Sequence, residues 1–317
     1  MNIVLVNSLN VDETIYKHIK DDLVALGHNF EYYLTKPESE KELYDRVKDA
    51  DIIIDDNTKI SGNIIKKCAK LRYIDVAFTG VDHIDLEACK EKNIVVSNAS
   101  GYSTEAVSEL VISYILGFLR NLIKFDSLTR SFKDKENILG EELKGKTVGV
   151  IGAGKIGSRV IGLLKAFEIN LLVYNRSIKE DLVKEGIKFV SLQDLLKNSD
   201  IVTVHIPLNS ETTNFIGEKE INLLKKDVII INTSRGPVID EKALYEALKN
   251  HKIQGACIDV YSKEPPLEKD NPLVSLDNVI LTPHIGYFTK EAMIKRVNIA
   301  IDNLHSYLNG EIKNRII

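Results

Sequence analysis

The stretch Thr147-Val-Gly-Val-Ile-Gly152-Ala-Gly154-Lys155-Ile156-Gly157-Ser158 constrains this chain more than any other. An apolar, β-branched run feeds glycines spaced G-x-G-x-x-G. The chain then turns amphipathic, with Ile156, Val160, Leu163, Leu164 and Phe167 on one helical face. The spacing alone occurs in ordinary loops; between a strand and a helix it is a dinucleotide-binding fingerprint. The first glycine makes the tight turn, the second lets a pyrophosphate reach the backbone, and the third lets helix pack on strand. The helix N-terminus then offers N–H groups and a partial positive charge to the phosphates.

Short apolar runs alternate with helical patterns on both sides of this stretch. Before it, residues 3–6, 51–54, 73–76 and 94–97 read as strands, and 12–26, 39–48, 61–69 and 86–92 as helices. Ser39 with Glu42 three positions on predicts a capping box. After it, residues 171–174, 188–190, 201–205, 228–232, 256–259 and 279–281 read as strands, and 191–198, 218–224 and 241–250 as helices. The alternation predicts an α/β fold of doubly wound parallel sheets with helices on both faces. A chain of 317 residues has material for about two such domains.

Residues 101–120 read as a mostly buried helix joining them, because Val107, Leu110, Val111, Tyr114, Ile115 and Phe118 recur at helical spacing. Residues 121–144 are largely polar, a surface excursion before the fingerprint strand. Residues 289–308 form an amphipathic pattern through Ala292, Val297, Ile301 and Leu304. Following a complete strand–helix series, this tail is expected to return to the N-terminal domain.

Composition excludes several classes of function. A net charge of -4 without a basic block argues against nucleic acid as a partner. No apolar run has the length of a membrane span, and the N-terminus reads as a first strand and not a signal peptide. Cys68, Cys89 and Cys257 show neither paired nor metal-ligand spacing, so no metal is expected and a reducing cytoplasm fits.

The chemistry-bearing residues follow predicted strands. About twenty residues after the glycines, dinucleotide enzymes carry an acid for the ribose 2′-OH. Here that place reads Tyr174-Asn175-Arg176-Ser177. Asn175 can bond a ribose without repelling a 2′-phosphate, and Arg176 and Ser177 can bind one, which tilts the expectation towards NADP(H) over NAD(H). Arg235, in Asn232-Thr233-Ser234-Arg235-Gly236, should stand at a carboxyl edge and can fork onto a carboxylate. Glu264, after Asp259, and His284, in Thr282-Pro-His284-Ile-Gly286, should emerge nearby. A carboxylate beside an imidazole makes a general acid/base poised near neutral pH.

Taken in order, these motifs resemble the D-isomer-specific 2-hydroxyacid dehydrogenase family across essentially the whole chain. They include residues 79–85 (Thr-Gly-Val-Asp-His-Ile-Asp), residues 98–110, the fingerprint, His205-Ile-Pro207-Leu, Asn232 to Gly236, Asp259 to Pro265 and Pro283-His284. The resemblance implies a Rossmann domain (100–287) inserted into a discontinuous flavodoxin-like substrate domain (1–99 plus 288–317). It also implies a cleft with hinge closure, and a homodimer through the joining helix and the cofactor domains.

Carried over by motif, His284 would protonate the oxo oxygen of a small 2-oxo acid with Glu264 as its partner, and Arg235 would bind the carboxylate. Thr79, Gly80 and Val81 would hold the carboxylate's other side. Cofactor contacts would come from Thr104, Gly152, Gly154, Lys155, Ile156, Gly157, Asn175, Arg176, Ser177, His205, Pro207, Thr212, Thr233, Ser234, Arg235, Asp259, His284 and Gly286. The run Gly101-Tyr-Ser-Thr-Glu-Ala-Val resembles hydroxypyruvate and glyoxylate reductases. Asn175 departs from the NAD-type acid, and Ser100 stands where many relatives have Pro. Glu264 and Pro283-His284 argue against the formate dehydrogenase branch. A chain ending at Ile317 is expected to lack the regulatory domain of many phosphoglycerate dehydrogenases. Two alternatives stay open: reduction of another 2-oxo acid, of pyruvate or branched or aromatic type, and a non-catalytic NAD(H)-sensing protein.

Overall fold

The computed structural model describes residues 1–135, 137–263 and 266–317. Its strands are β1 (Asn2–Leu5), β2 (Asn29–Tyr32), β3 (Ile52–Asp55), β4 (Tyr73–Val76), β5 (Val95–Asn98), β6 (Thr147–Ile151), β7 (Asn170–Tyr174), β8 (Lys188–Phe189), β9 (Ile201–Val204), β10 (Ile229–Asn232), β11 (Gly255–Ile258) and β12 (Val279–Leu281). Its helices are α1 (Glu13–Ala25), α2 (Glu40–Val47), α3 (Gly62–Lys67), α4 (Leu86–Glu91), α5 (Thr104–Leu119), α6 (Leu122–Arg130), α7 (Lys155–Leu164), α8 (Glu180–Lys184), α9 (Leu192–Asn198), α10 (Glu218–Ile221), α11 (Glu241–Lys249) and α12 (Lys290–Leu308). The chain divides into two compact units, Met1–Ser103 with Thr289–Ile317, and Thr104–Phe288.

The first unit is a parallel five-stranded sheet in the order β2-β1-β3-β4-β5, the flavodoxin-like winding. Its inner strands are mainly apolar, as in Ile52-Ile53-Ile54, because parallel strands are covered on both faces. β2, absent from the sequence reading, is an edge strand in which Phe30 is buried between exposed Asn29 and Glu31. The Ser39 hydroxyl accepts the Glu42 N–H at 3.2 Å. Glu42, however, reaches the Glu38 N–H at 2.7 Å, so the expected capping box closes one residue early.

α12 completes this unit. Val297, Ala300 and Leu304 join the core of Ile3, Leu5, Ile52 and Tyr73. Asn303 donates to Asp75 at 3.0 Å and to the Asn98 carbonyl at 3.1 Å. The chain end then pairs antiparallel with β5, the Ile316 N–H donating to the Val96 carbonyl at 2.7 Å.

The second unit is a parallel seven-stranded sheet ordered β12-β11-β10-β9-β6-β7-β8. Counted from β6, this is the Rossmann winding 3-2-1-4-5-6 with a seventh strand added. One apolar core fills each face, built on Val204, Ile230 and Leu248 on one side and on Val150, Ile161 and Ile231 on the other. Two helices here were not expected. α6 lies in the supposed surface excursion and has no buried residue, and the single exposed turn and a half of α8 follows β7.

Candidate active site

The strand order reverses between β6 and β9, and the crevice at such a switch point is where open α/β sheets take ligands. Gly152 sits there at φ +95°, and a Cβ on it would stand 2.7 Å from the His205 carbonyl oxygen. A Cβ on Gly157 would stand 1.9 Å from the Gly152 carbonyl oxygen. Both positions are closed to any side chain. Gly154 is the opposite case, because a Cβ there would meet nothing within 4 Å. It leaves α7 without a side-chain cap, so the positive end of the helix, at Lys155 and Ile156, is available to a pyrophosphate.

The rim of this crevice is braced by residues the sequence marked as cofactor contacts. Asn175, just after β7, accepts the Ala153 N–H at 2.9 Å and donates to the Ser177 carbonyl at 2.7 Å. It is therefore first a strut between the glycine turn and the strand end. Arg176 projects with its side chain 90% exposed, 3.7 Å from the Glu211 carboxylate. Thr212 donates to the Pro207 carbonyl at 2.6 Å and closes the turn after β9. His205 meets the buried Thr203 hydroxyl at 2.9 Å, and burial pushes its imidazole down to about 4, so it is neutral at physiological pH.

Three adjacent parallel strands bring the reactive types to one edge. Asn232 stands opposite Ile258, and Ile258 opposite Leu281, so Thr233, Asp259 and Thr282 leave β10, β11 and β12 in step. Asn232 shapes the first loop: its oxygen accepts the Ser234 N–H at 3.0 Å and hydroxyl at 2.8 Å, and its amide donates to the Arg235 carbonyl at 3.0 Å. The Arg235 guanidinium meets the Ser234 carbonyl at 2.8 Å. Gly236 packs so tightly that a Cβ would stand 2.0 Å from the Tyr261 carbonyl carbon, which locks this loop to the one after β11. The Thr233 hydroxyl is buried with no hydrogen-bond partner among the described residues. Such a group costs about 1–3 kcal/mol unless a ligand satisfies it. The orphaned hydroxyl and the open cradle at Gly154 both fit a bound dinucleotide.

Asp259 is 1% exposed and accepts the Ile285 N–H and the Gly286 N–H, each at 2.8 Å, as well as the Thr282 hydroxyl. Burial pushes its carboxyl above the usual range, and these donors together with the charge of His284 oppose that. The loop it grips carries His284 at φ +56°, its ring edge-on to Tyr287 at 5.3 Å between centroids. Thr104, the remaining predicted cofactor contact, is the first residue of α5 and is partly exposed. Glu264 lies outside the described residues.

In the first unit, Thr79, Gly80 and Val81 form a partly exposed turn after β4. Asn98, at the end of neighbouring β5, donates to the Thr79 carbonyl at 2.7 Å and fixes that turn. At the same carboxyl edge, Asp55 meets His83 at 3.2 Å, and fully buried Arg296 meets Asp56 at 2.8 Å.

Residues 112–286 match the family model described as "D-isomer specific 2-hydroxyacid dehydrogenase, NAD binding domain". The chain belongs to the D-isomer-specific 2-hydroxyacid dehydrogenase family. A D-3-phosphoglycerate dehydrogenase of Methanocaldococcus jannaschii is 42% identical over 88% of this chain and 54% of its own, so the chain spans about half the length of that relative. A glyoxylate reductase of Korarchaeum cryptofilum is 34% identical over 93% of this chain and 92% of its own. Among solved structures, an acyclic imino acid reductase in complex with NADPH and D-Arg superposes with a TM-score of 0.89 at 33% identity, over the whole of both chains.

For a member of this family, the residues that sequence reasoning missed are those that hold the others. Asn98, Asn232 and Thr282 lay inside the motifs, and polar residues ending apolar strands were the available signal. Tyr114 was read as one more apolar position of the joining helix, yet its hydroxyl bonds that of Thr282.

Proposed function

We propose that this protein reduces a small 2-oxo acid to the D-2-hydroxy acid with a nicotinamide dinucleotide, with hydroxypyruvate and glyoxylate as preferred substrates. The reading is carried by one observation: Arg235 and His284 leave strands on either side of β11, whose own Asp259 pins the His284 loop. When bound, the reduced nicotinamide supplies the hydride that C2 accepts. His284 gives its proton to the oxo oxygen, with Glu264 as its partner in sequence, so the developing alkoxide is neutralised as it forms. Arg235 holds the substrate carboxylate and polarises the neighbouring carbonyl, which fixes the face presented to hydride. Thr79, Gly80 and Val81 are the first unit's proposed contribution to substrate binding.

NADP(H) is proposed as the preferred cofactor. The exposed Arg176 and the absence of an acid at Asn175 support that choice, since an acid there would repel a 2′-phosphate. The protein is proposed to work as a homodimer in the cytoplasm, where its three buried free thiols would stay reduced. Reduction of the oxo acid related to D-3-phosphoglycerate is a second reading, supported by the 42% identical relative.

Steady-state oxidation of NADPH and NADH with a panel of 2-oxo acids, phosphorylated ones included, tests all of this. The expected result is the highest kcat/KM with hydroxypyruvate or glyoxylate and NADPH. Preference for NADH would sink the cofactor assignment, and preference for a phosphorylated acid would replace the substrate. Tight dinucleotide binding with no turnover on any acid would favour a sensor.

A further inference from the structure

The carboxylate that grips the His284 loop is itself held from outside the site. Thr282, on the strand end that precedes His284, donates its only hydroxyl proton to Asp259. The Tyr114 hydroxyl bonds the same Thr282 oxygen. Because the Thr282 proton is already engaged with a carboxylate, the phenol must be the donor in that contact. The result is a donor chain directed from Tyr114 on α5 through Thr282 to Asp259, which also accepts the N–H groups of Ile285 and Gly286.

We propose that Tyr114 is a positioning residue for the reaction, setting the charge of Asp259 and the geometry of the His284 loop through the Thr282 hydroxyl. This rests on His284 being the proton donor. Donors in series polarise one another, and each counts for more away from water. Tyr114 is 4% exposed, and burial holds its phenol well above the usual range, so it remains a donor at any working pH. Among the described residues, the titratable groups facing the chain include Cys257 on β11, Tyr261 just after it, and His284. Tyr261 secures the same turn from the other side, its hydroxyl donating to the Thr282 carbonyl at 3.0 Å. Burial works against a charge on Asp259, and the phenol chain acts with the loop N–H groups in the opposite direction.

The chain's purpose follows from what the loop must do. His284 sits in a left-handed backbone conformation, which persists only where the surroundings enforce it. Loss of the phenol proton weakens the Thr282 donation, and Asp259 then supports a protonated imidazole less well. In the reducing direction, the basic limb of the pH profile should move to lower pH.

The test compares pH profiles of oxo-acid reduction for wild type, Tyr114→Phe, Thr282→Ser, Thr282→Val and His284→Asn, using the best acid of the panel, with folding checked by circular dichroism. Tyr114→Phe is expected to lower kcat about threefold to tenfold and to move the basic limb down by about half a pH unit. Thr282→Val should do at least as much. Thr282→Ser, which keeps the hydroxyl, should stay within about twofold of wild type. An unshifted profile and unchanged kcat in Tyr114→Phe, with His284→Asn inactive, would overturn the chain alone. Should Tyr114→Phe not fold, equal behaviour of the Thr282 Ser and Val variants would overturn it in its place. Full turnover by His284→Asn would overturn both this proposal and the reading beneath it.

Discussion

His284 holds a φ of +56°, a region costly for residues that carry a Cβ, and its neighbours explain why it stays there. Pro283 restricts the entry to the turn, and Asp259 takes the next two N–H groups, so the backbone has nowhere to relax. His205 shows the reverse economy: an ionisable ring kept neutral by burial, with the Thr203 hydroxyl beside it at 2.9 Å. Its folded-state value of about 4 lies below the ordinary 6.5, so between those values the unfolded chain binds the proton and the folded chain does not. The associated stability is complete above about pH 6.5 and is lost as pH falls towards 4, on the order of 3 kcal/mol in all. Thermal unfolding followed from pH 7 to pH 4.5 should therefore show a shallower decline for His205→Asn than for wild type. Parallel curves would mean that this ring takes no part in the acid sensitivity.

At the level of elements, what was legible and what was not divides by burial. Inner parallel strands such as Ile52–Asp55 and Ile229–Asn232 are apolar up to a polar last residue and stood out, as did the glycine turn and the face of α7. β2 did not, because an edge strand with Glu31 pointing to solvent carries half the signal. α6 was hidden for a related reason: with no buried residue in this chain alone, its pattern looks like a loop. Polar struts were the other blind spot, since Asn98, Asn232 and Thr282 act through geometry that no spacing rule encodes. The exposure of α6 has its own consequence. Leu122 is 57% exposed and Ile123 60%, side chains that a free surface seldom shows side by side. If the homodimer forms through this region, light scattering should give twice the chain mass for wild type and a shift towards monomer for Leu122→Lys with Ile123→Lys. A wild-type protein at monomer mass would remove dimerisation from the account.

For the molecule as a whole, the discontinuity of the first unit governs how the sequence must be read. Met1–Ser103 is completed only by Thr289–Ile317, where Arg296, Asn303 and the tail strand tie α12 to the first sheet. The chemistry does not sit with the fingerprint. Gly152, Gly154 and Gly157 form the proposed phosphate cradle, whereas Arg235, Asp259 and His284 stand at the ends of strands far later in the chain. The proposed role of His284 is that of proton donor in a 2-oxo acid reductase. It is tested most directly by the turnover of His284→Asn beside wild type, with dinucleotide binding measured on the same preparations. Binding within about twofold of wild type and a kcat lowered by about 10²–10⁴ is the predicted result. Turnover close to wild type would contradict it.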